Sequence, residues 1–402
     1  MQSSSQSAAR TASPDSIPEA ETLLPHELPA NEPIEYAPDI RDDIAIASQW
    51  KLMWLKFRKH RLAVLGMIVI ILIYLIAMFA EFVAPMRPTQ TFADYTYAPP
   101  QFIHVVDTSD GFDPGMFAYD YTTGVDMVNF TRTFEIDTST KVPIGFFVKG
   151  QPYELFGLFP MDRHLVGSTD PQKPVFLLGT DRLGRDMFSR IVYGARISMS
   201  IGLIGVALSL VLGVALGGMS GYYGGWIDNV IQRVIEVIRA VPTIPLWMGL
   251  AAALPPGWSG IRVYLGITVI LSLIGWTGLA RVVRGRFLAM REEEFILAAK
   301  LDGTRESRII ARHMVPSFLS HIIASVTLSI PAMILAETSL SFLGLGLRPP
   351  TVSWGVLLQE AQNIRTVATA PWLFAPGIAI VIAVLAFNFM GDGLRDAADP
   401  YN

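Results

Sequence analysis

Apolar residues gather into six blocks, and the polar stretches between them differ greatly in length. Leu62 to Val83 is apolar except for Glu81 near its far end, and its 22 residues are enough to cross a hydrocarbon core of roughly 30 Å. Similar blocks follow at 197–219, about 228–254, 263–280, 320–337 and 372–390. The third block is the least regular. Asp228, Arg233, Glu236 and Arg239 occupy its first half, and Pro242 and Pro245 interrupt the apolar remainder. It reads as a helix that begins at the membrane surface and enters near Arg239, with neighbouring helices covering the backbone groups that proline frees. The pattern predicts six membrane-crossing helices.

Residues 84 to about 178 hold no spanning segment. Short runs such as Ile103–Val106 and Gly145–Val148 sit among turn signals such as Pro99-Pro100, Asp110-Gly111 and Asp113-Pro114. They predict a small β-rich insertion of low regularity. Loops beyond ~15 residues without structure are usually functional or disordered, and twelve aromatic residues from Phe102 to Phe159 are too many for disorder. The rings must pack on one another or on a neighbouring protein, which predicts an ordered cap on the outer mouth. Residues 1–43 differ: nine acids against Arg10 and Arg41, with no sustained apolar period, predict a disordered tail.

Charge orients the blocks. Lys51, Lys56, Arg58, Lys59 and Arg61 precede the first block without an intervening acid, which places the N-terminus in the cytoplasm. A polybasic contact with the membrane surface is compatible with that. Six crossings then put both termini and residues 281–315 inside, and that loop carries eight bases. The opposite connections, 255–262 and 338–371, carry only Arg262, Arg348 and Arg365. The insertion has eleven acids and six bases, no obstacle to export because long loops translocate largely regardless of charge. The expected organisation is a tail (1–43), a basic segment with helix 1 (44–83), an extracytoplasmic insertion and lead-in (84–195), and a core (196–402) with a cytoplasmic loop at 281–316.

Composition narrows the chemistry. Of 402 residues 51% are hydrophobic and 16% charged, against roughly 25% charged in soluble domains, and the mean hydropathy is +0.41. A net charge of −4 supplies no basic field for nucleic acid. Absence of cysteine excludes disulfides, thiolate metal sites and a cysteine nucleophile. None of the seven lysines follows a glycine, so no Walker A loop is present. HExxH and GxSxG are also absent. Glu81, Glu236 and Glu337 lie near segment ends, which weakens a proton- or sodium-coupled carrier, since such carriers bury acids at membrane depth.

Two short helices are expected in the basic loop. One runs over 293–302 with an apolar face of Phe295, Leu297 (or Ala298) and Leu301, stopped by Gly303. A second, 305–314, ends before Pro316. Such a pair projects from the membrane as a docking element, or lies in the headgroups as an interfacial helix. Gly213, Gly217 and Gly221 recur every four residues and suit close helix packing.

Ala298-Ala299-x-x-x-Gly303, with Pro316 thirteen positions on, resembles the EAA loop of binding-protein-dependent ABC importer permeases. Leu297, His313 and Val315 stand where that motif has Glu, Ile and Leu. Gly179-Thr-Asp-Arg-Leu-Gly-Arg-Asp186 with Ser189-Arg-Ile-Val-Tyr-Gly-Ala-Arg-Ile-Ser198 resembles the segment before the second helix of dipeptide/oligopeptide/nickel permeases. Gly221–Trp226, Leu340–Gly346, Pro349-Pro350 with Ser353-Trp-Gly355, and Gly391–Asp396 with Asp399-Pro400 are similar to the same subfamily.

The resemblance implies an all-α integral membrane protein of the type I ABC importer permease kind, six helices with a β-containing insertion after the first. It implies a C-type permease subunit in the inner membrane, moving peptides, or oligosaccharides or opine-like conjugates, from a solute-binding protein. The implied partners are a homologous B-type permease, two cytoplasmic ATPases that use ATP and magnesium, the binding protein and membrane lipid. No cofactor is expected on this chain and no catalytic residue. Glu294, Leu297, Ala298, Ala299, Gly303, Arg308 and Pro316 are the candidate ATPase-coupling residues. Thr180, Asp181, Gly184, Arg185 and Asp186 form the candidate outer-mouth motif, with Asp181, Arg185 and Asp186 expected to pair. Trp354 and Trp372 fit an interfacial aromatic belt, unless 338–371 folds back toward the mouth as the resemblance suggests.

Overall fold

The structure, a computed structural model, describes residues 49–107, 113–127, 131–170 and 172–398. The expected disordered tail, Phe112, Phe130 and the Asp399-Pro400 pair lie outside the described residues.

Helix α1 (Gln49–Lys59) carries Lys56, Arg58 and Lys59 in its last turn, where cations oppose the helix dipole favourably. His60 breaks the chain and caps α2 (Arg61–Met78), its Nδ1 accepting from Ala63 N–H at 3.1 Å. After Phe79 the chain resumes as α3 (Ala80–Val83). Leu65, Ile68, Leu72 and Leu75 leave one side of α2 exposed and apolar.

The insertion is an antiparallel meander of β1 (His104–Asp107), β2 (Asp113–Asp126), β3 (Thr131–Leu155) and β4 (Phe159–Ser168), in spatial order β1-β2-β3-β4. It is far more regular than its short apolar runs predict. The reason is that β3 is 25 residues long and serves two partners: its first half pairs with β2 and its second with β4. Ala118, Val142, Ile144 and Val175 form a small core. The rings are buried only in part. Phe117 and Tyr153 are enclosed, while Phe102, Phe146, Phe147, Phe156 and Phe159 are exposed.

Helix α4 (Met187–Tyr223) has 37 residues, about 55 Å at 1.5 Å per residue. It begins ten residues before its apolar block, so Ser189–Ser198 is the first part of the helix and not a segment preceding it. The boundary expected at 195/196 falls inside this helix. Next come α5 (Gly225–Ala240) and α6 (Thr243–Ala252), separated at Val241-Pro242 and bent by 88°. Helix α7 (Gly260–Met290) runs through Arg281, Arg284 and Arg286, which therefore belong to a membrane helix end and not to a loop. Helix α8 (Glu294–Leu301) and α9 (Glu306–Ile309) follow. The chain then continues through a π-turn (Ile310–Met314) into α10 (Val315–Ser317). The second loop helix thus does not end before Pro316. Proline is accommodated in the first turn of α10, where its missing N–H is not needed.

Helices α11 (Leu319–Phe342), α12 (Trp354–Leu358), α13 (Ile364–Thr369) and α14 (Ala375–Ala398) complete the chain. Among the described residues five helices are long and apolar enough to cross a membrane, and six spans result if the bent α5–α6 pair is one. Their shared core includes Ile70, Met199, Leu271, Ile334, Trp354 and Phe387. The approach of α4 to α7 depends on the glycine row. A Cβ on Gly217 would lie 2.8 Å from Ala280 Cα, and one on Gly221 2.7 Å from the Arg284 carbonyl.

Candidate functional sites at the two ends of the bundle

At the basic-loop end, α8 is apolar on two faces. Ile296 and Ala299 point inward and join Phe287 and Met290 of α7 with Ile309, Met314 and Phe318 in one buried cluster. Phe295, Leu297 and Leu301 point outward, Leu301 being 88% exposed. The expected apolar face thus exists as an exposed one, and the packed face is its neighbour. Glu294 lies in the first turn of α8, and Glu294, Ala298, Arg308 and Pro316 are exposed.

The Ala-x-x-x-Gly spacing has a direct cause. Gly303 has φ of 72°, its N–H donates to the Lys300 carbonyl, and Thr304 N–H donates to the Ala299 carbonyl, both at 3.1 Å. This is the Schellman termination, which requires a left-handed residue four positions after the carbonyl it covers. The end of α7 that carries the loop is tied to α5 by Arg284, whose Nε and Nη2 each donate to an Asp228 carboxylate oxygen at 2.6 Å. Ser220 donates to the same carboxylate. Lys300 Nζ stands 5.3 Å from the Tyr222 ring centroid.

At the sheet end the polar groups face one another. Asp181 is 1% exposed. Its Oδ1 accepts from Leu183 N–H at 2.8 Å and Arg185 N–H at 3.0 Å, and its Oδ2 from Arg185 Nε at 2.6 Å. Buried Arg190 pairs with the same Oδ2. Arg185 continues to Glu360 at 3.5 Å, and Arg182 reaches Glu360 at 3.6 Å. Thr180 Oγ1 accepts from Ala98 N–H at 2.7 Å and donates to the Tyr95 carbonyl at 2.5 Å. Trp372 Nε1 donates to the Thr180 carbonyl at 2.8 Å. Gly184 has φ of 68°, and a Cβ there would run into the Phe92 carbonyl.

Asp186 departs from the expected pairing. It caps α4, Oδ2 accepting from Ser189 N–H at 2.8 Å, and its carboxylate pairs with none of the three arginines. Burial pushes its carboxyl up to about 6, more than the Ser189 hydrogen bonds lower it. The five motif residues come together, but the network also needs Arg190 and Glu360, which sequence reasoning missed. Arg190 carried one available signal, standing one turn after Asp186 at a helix start.

A second buried knot was also missed. Glu337 of α11 is fully enclosed and accepts hydroxyl bonds from Ser198 at 3.2 Å, Ser341 at 2.8 Å and Ser353 at 2.8 Å. Ser198 in turn accepts from Trp354 N–H at 3.1 Å, and Trp354 Nε1 donates to the Ile191 carbonyl at 3.0 Å. Trp354 is therefore a buried wedge that anchors α12 in the bundle, and not an interfacial belt residue. The connection after α11 does fold back. Between the arginine network and this connection lies a 650 Å³ cavity lined by Arg182, Arg190, Arg348, Glu360 and Asn363, among others.

The fold and these two ends define a multi-span membrane protein, with a short helix presenting an exposed apolar face at one end and a polar network at the other. Residues 213–401 match the family described as binding-protein-dependent transport system inner membrane component, and residues 48–100 match the N-terminal TM domain of oligopeptide transport permease C. The dipeptide transport system permease protein DppC of Bacillus subtilis (strain 168) is 42% identical over 55% of this chain and 68% of its own length. The oligopeptide transport system permease protein OppC of the same organism is 37% identical over 59% and 75%. The glutathione transport system permease protein GsiD of Pectobacterium atrosepticum is 38% identical over 62% and 79%. The chain belongs to the binding-protein-dependent inner membrane permease family, and is a multi-pass inner membrane protein, mostly helical with a small antiparallel sheet.

Proposed function

We propose that this chain is the C-type permease of an ATP-driven importer that takes peptides from a solute-binding protein. The names of its relatives support peptide cargo. The basic-loop end faces the cytoplasm with both termini, and the sheet end faces the binding protein. A homologous B-type permease completes the pathway, and two cytoplasmic ATPases use ATP and magnesium. This chain contributes no nucleotide site, metal or cofactor.

The observation that carries the reading is the outward apolar face of α8, held on a rigid mount. An ATPase groove closing over Leu297, Ala298 and Leu301 pushes on α8. Because Ile296 and Ala299 share one cluster with α7 and the start of α11, the push reaches two membrane helices together. Coupling needs contacts that differ between two states, and the arrangement of α7 and α11 is what changes. At the other end, the arginine-lined cavity and the insertion seat the binding protein and receive cargo.

Gly303→Pro tests the coupling role. Proline fixes φ near −65° where the backbone needs 72°, and it removes the donor to Lys300. Transport and binding-protein-stimulated ATPase activity are expected to vanish while the complex still assembles. Uptake at the normal rate would overturn the assignment.

A further inference from the structure

The β3–β4 hairpin ends in Leu155-Phe156-Gly157-Leu158-Phe159-Pro160-Met161, a run with no charged side chain and no side-chain nitrogen or oxygen. Water-exposed turns are ordinarily built from Gly, Asn, Asp, Ser and Pro. Here Phe156 has φ of 56° and Gly157 φ of 69°, the paired left-handed backbone that Asn-Gly or Asp-Gly usually supplies. Leu158 N–H closes the turn on the Leu155 carbonyl at 3.1 Å. A large ring thus occupies a backbone position that disfavours any β-carbon, yet the fold does not enclose it. Phe156 is 49% exposed, Leu158 74% and Phe159 59%. Strain kept at an exposed position points to work done at that surface.

The position of the tip identifies what covers it. Phe156 packs on Phe79 at 5.6 Å between ring centroids, and Phe147 on Phe82 at 5.9 Å. Leu155 and Met161 share with Leu75, Ile76, Phe79, Phe82 and Val83 an open groove of 420 Å³ whose walls are wholly apolar. Leu75 lies in the last turn of α2, six residues before Glu81 of α3. Glu81 is gripped by Arg196 at 2.6 Å through each oxygen, a charged pair that belongs at headgroup level. The groove spans that level, from Leu75 and Ile76 on α2 to Phe82 and Val83 beyond Glu81, so the tip lies where the hydrocarbon-spanning part of α2 meets the headgroups. The hairpin's charges stand behind the tip, where Lys149 pairs with Asp162 at 3.5 Å. The exposed stripe of α2, Leu65 through Leu75, runs without a break into the groove.

We propose that the β3–β4 hairpin tip is immersed in the lipid of the sheet-side leaflet, with acyl chains filling the groove between it and α2. Lipid is the occupant because the groove continues the lipid-facing side of a spanning helix, with the same side-chain chemistry. The hairpin then acts as a second membrane anchor that holds the sheet at a set height above the bundle.

The absence of cysteine makes the test direct. The full chain, reconstituted in phospholipid nanodiscs, carries a nitroxide at Leu158→Cys, at Leu72→Cys on the exposed stripe of α2, or at Ser139→Cys sixteen residues up β3. Collision with oxygen and with a water-soluble nickel chelate is read by electron paramagnetic resonance. Oxygen should dominate at Leu158 and Leu72, and the nickel chelate at Ser139. A Leu158 label that behaves like Ser139 would overturn the proposal. A label shielded from both reagents would overturn it too, because a protein surface would then cover the tip.

Discussion

The two ends of the bundle solve opposite problems. At the basic-loop end a short helix rests on one apolar face and leaves another exposed, with backbone hydrogen bonds and a single glycine setting its stop. At the sheet end the buried carboxylate of Asp181 pairs with Arg185 and Arg190, and Arg185 and the more exposed Arg182 continue to a second carboxylate, Glu360. A removable contact belongs at the first end and a permanent joint at the second. The difference teaches which substitutions should register as stability and which as function.

Breaking the joint should have the largest effect on stability. Asp181→Ala leaves Arg190, buried, without its carboxylate and strips acceptors from two amides. Removing one partner of a buried pair costs about 3–5 kcal/mol, read as a large fall in Tm of the chain in nanodiscs or as failure to accumulate. An unchanged Tm would show that the sheet end is held by something else.

The same end should be sensitive to pH. Asp186 has a folded pKa of about 6, above the ordinary carboxylate value. The folded state therefore holds a proton that the unfolded state releases between about pH 4 and 6. The contribution is present in full below about pH 4 and lost as pH rises through about 6, on the order of 3 kcal/mol across the window. Asp186→Asn keeps an acceptor for Ser189 and should flatten that part of the stability-pH curve relative to the wild type. Parallel curves would place the titration elsewhere.

Leu301→Asp sharpens the contrast from the other side. The residue is 88% exposed, so stability should change by less than about 0.5 kcal/mol. ATPase stimulation in the assembled complex should fall about tenfold or more, as for an interface anchor. A Tm shift as large as that of Asp181→Ala would erase the distinction between the two ends.

Much of the basic-loop end is legible along the chain. The Ala299-to-Gly303 spacing states a helix stop, and the outward Leu297 and Leu301 follow from helical periodicity. Which apolar face is packed is not legible, since Ile296 and Leu297 are equally apolar and only the arrival of Met314 and Phe318 decides between them. At the sheet end the motif from Thr180 to Asp186 stands out, but its pairing does not. Asp181 and Asp186 look equivalent as partners for Arg185 in sequence, and the turn at Gly184 is what directs Asp181 to the arginines and leaves Asp186 to cap α4.

Six apolar blocks, a long insertion after the first, charge asymmetry and a helix–glycine stop are properties of the sequence by itself. Each depends on residues within one or two helical turns of each other or on simple counts of charge. The tertiary structure alone joined Arg185 to Glu360, closed Ser198, Ser353 and Trp354 around Glu337, and brought the tip at Phe156 beside Phe79. These contacts link segments far apart in the chain. Their energies arise from burial and hydrogen bonding that exist only once the helices have packed, so no local pattern encodes them.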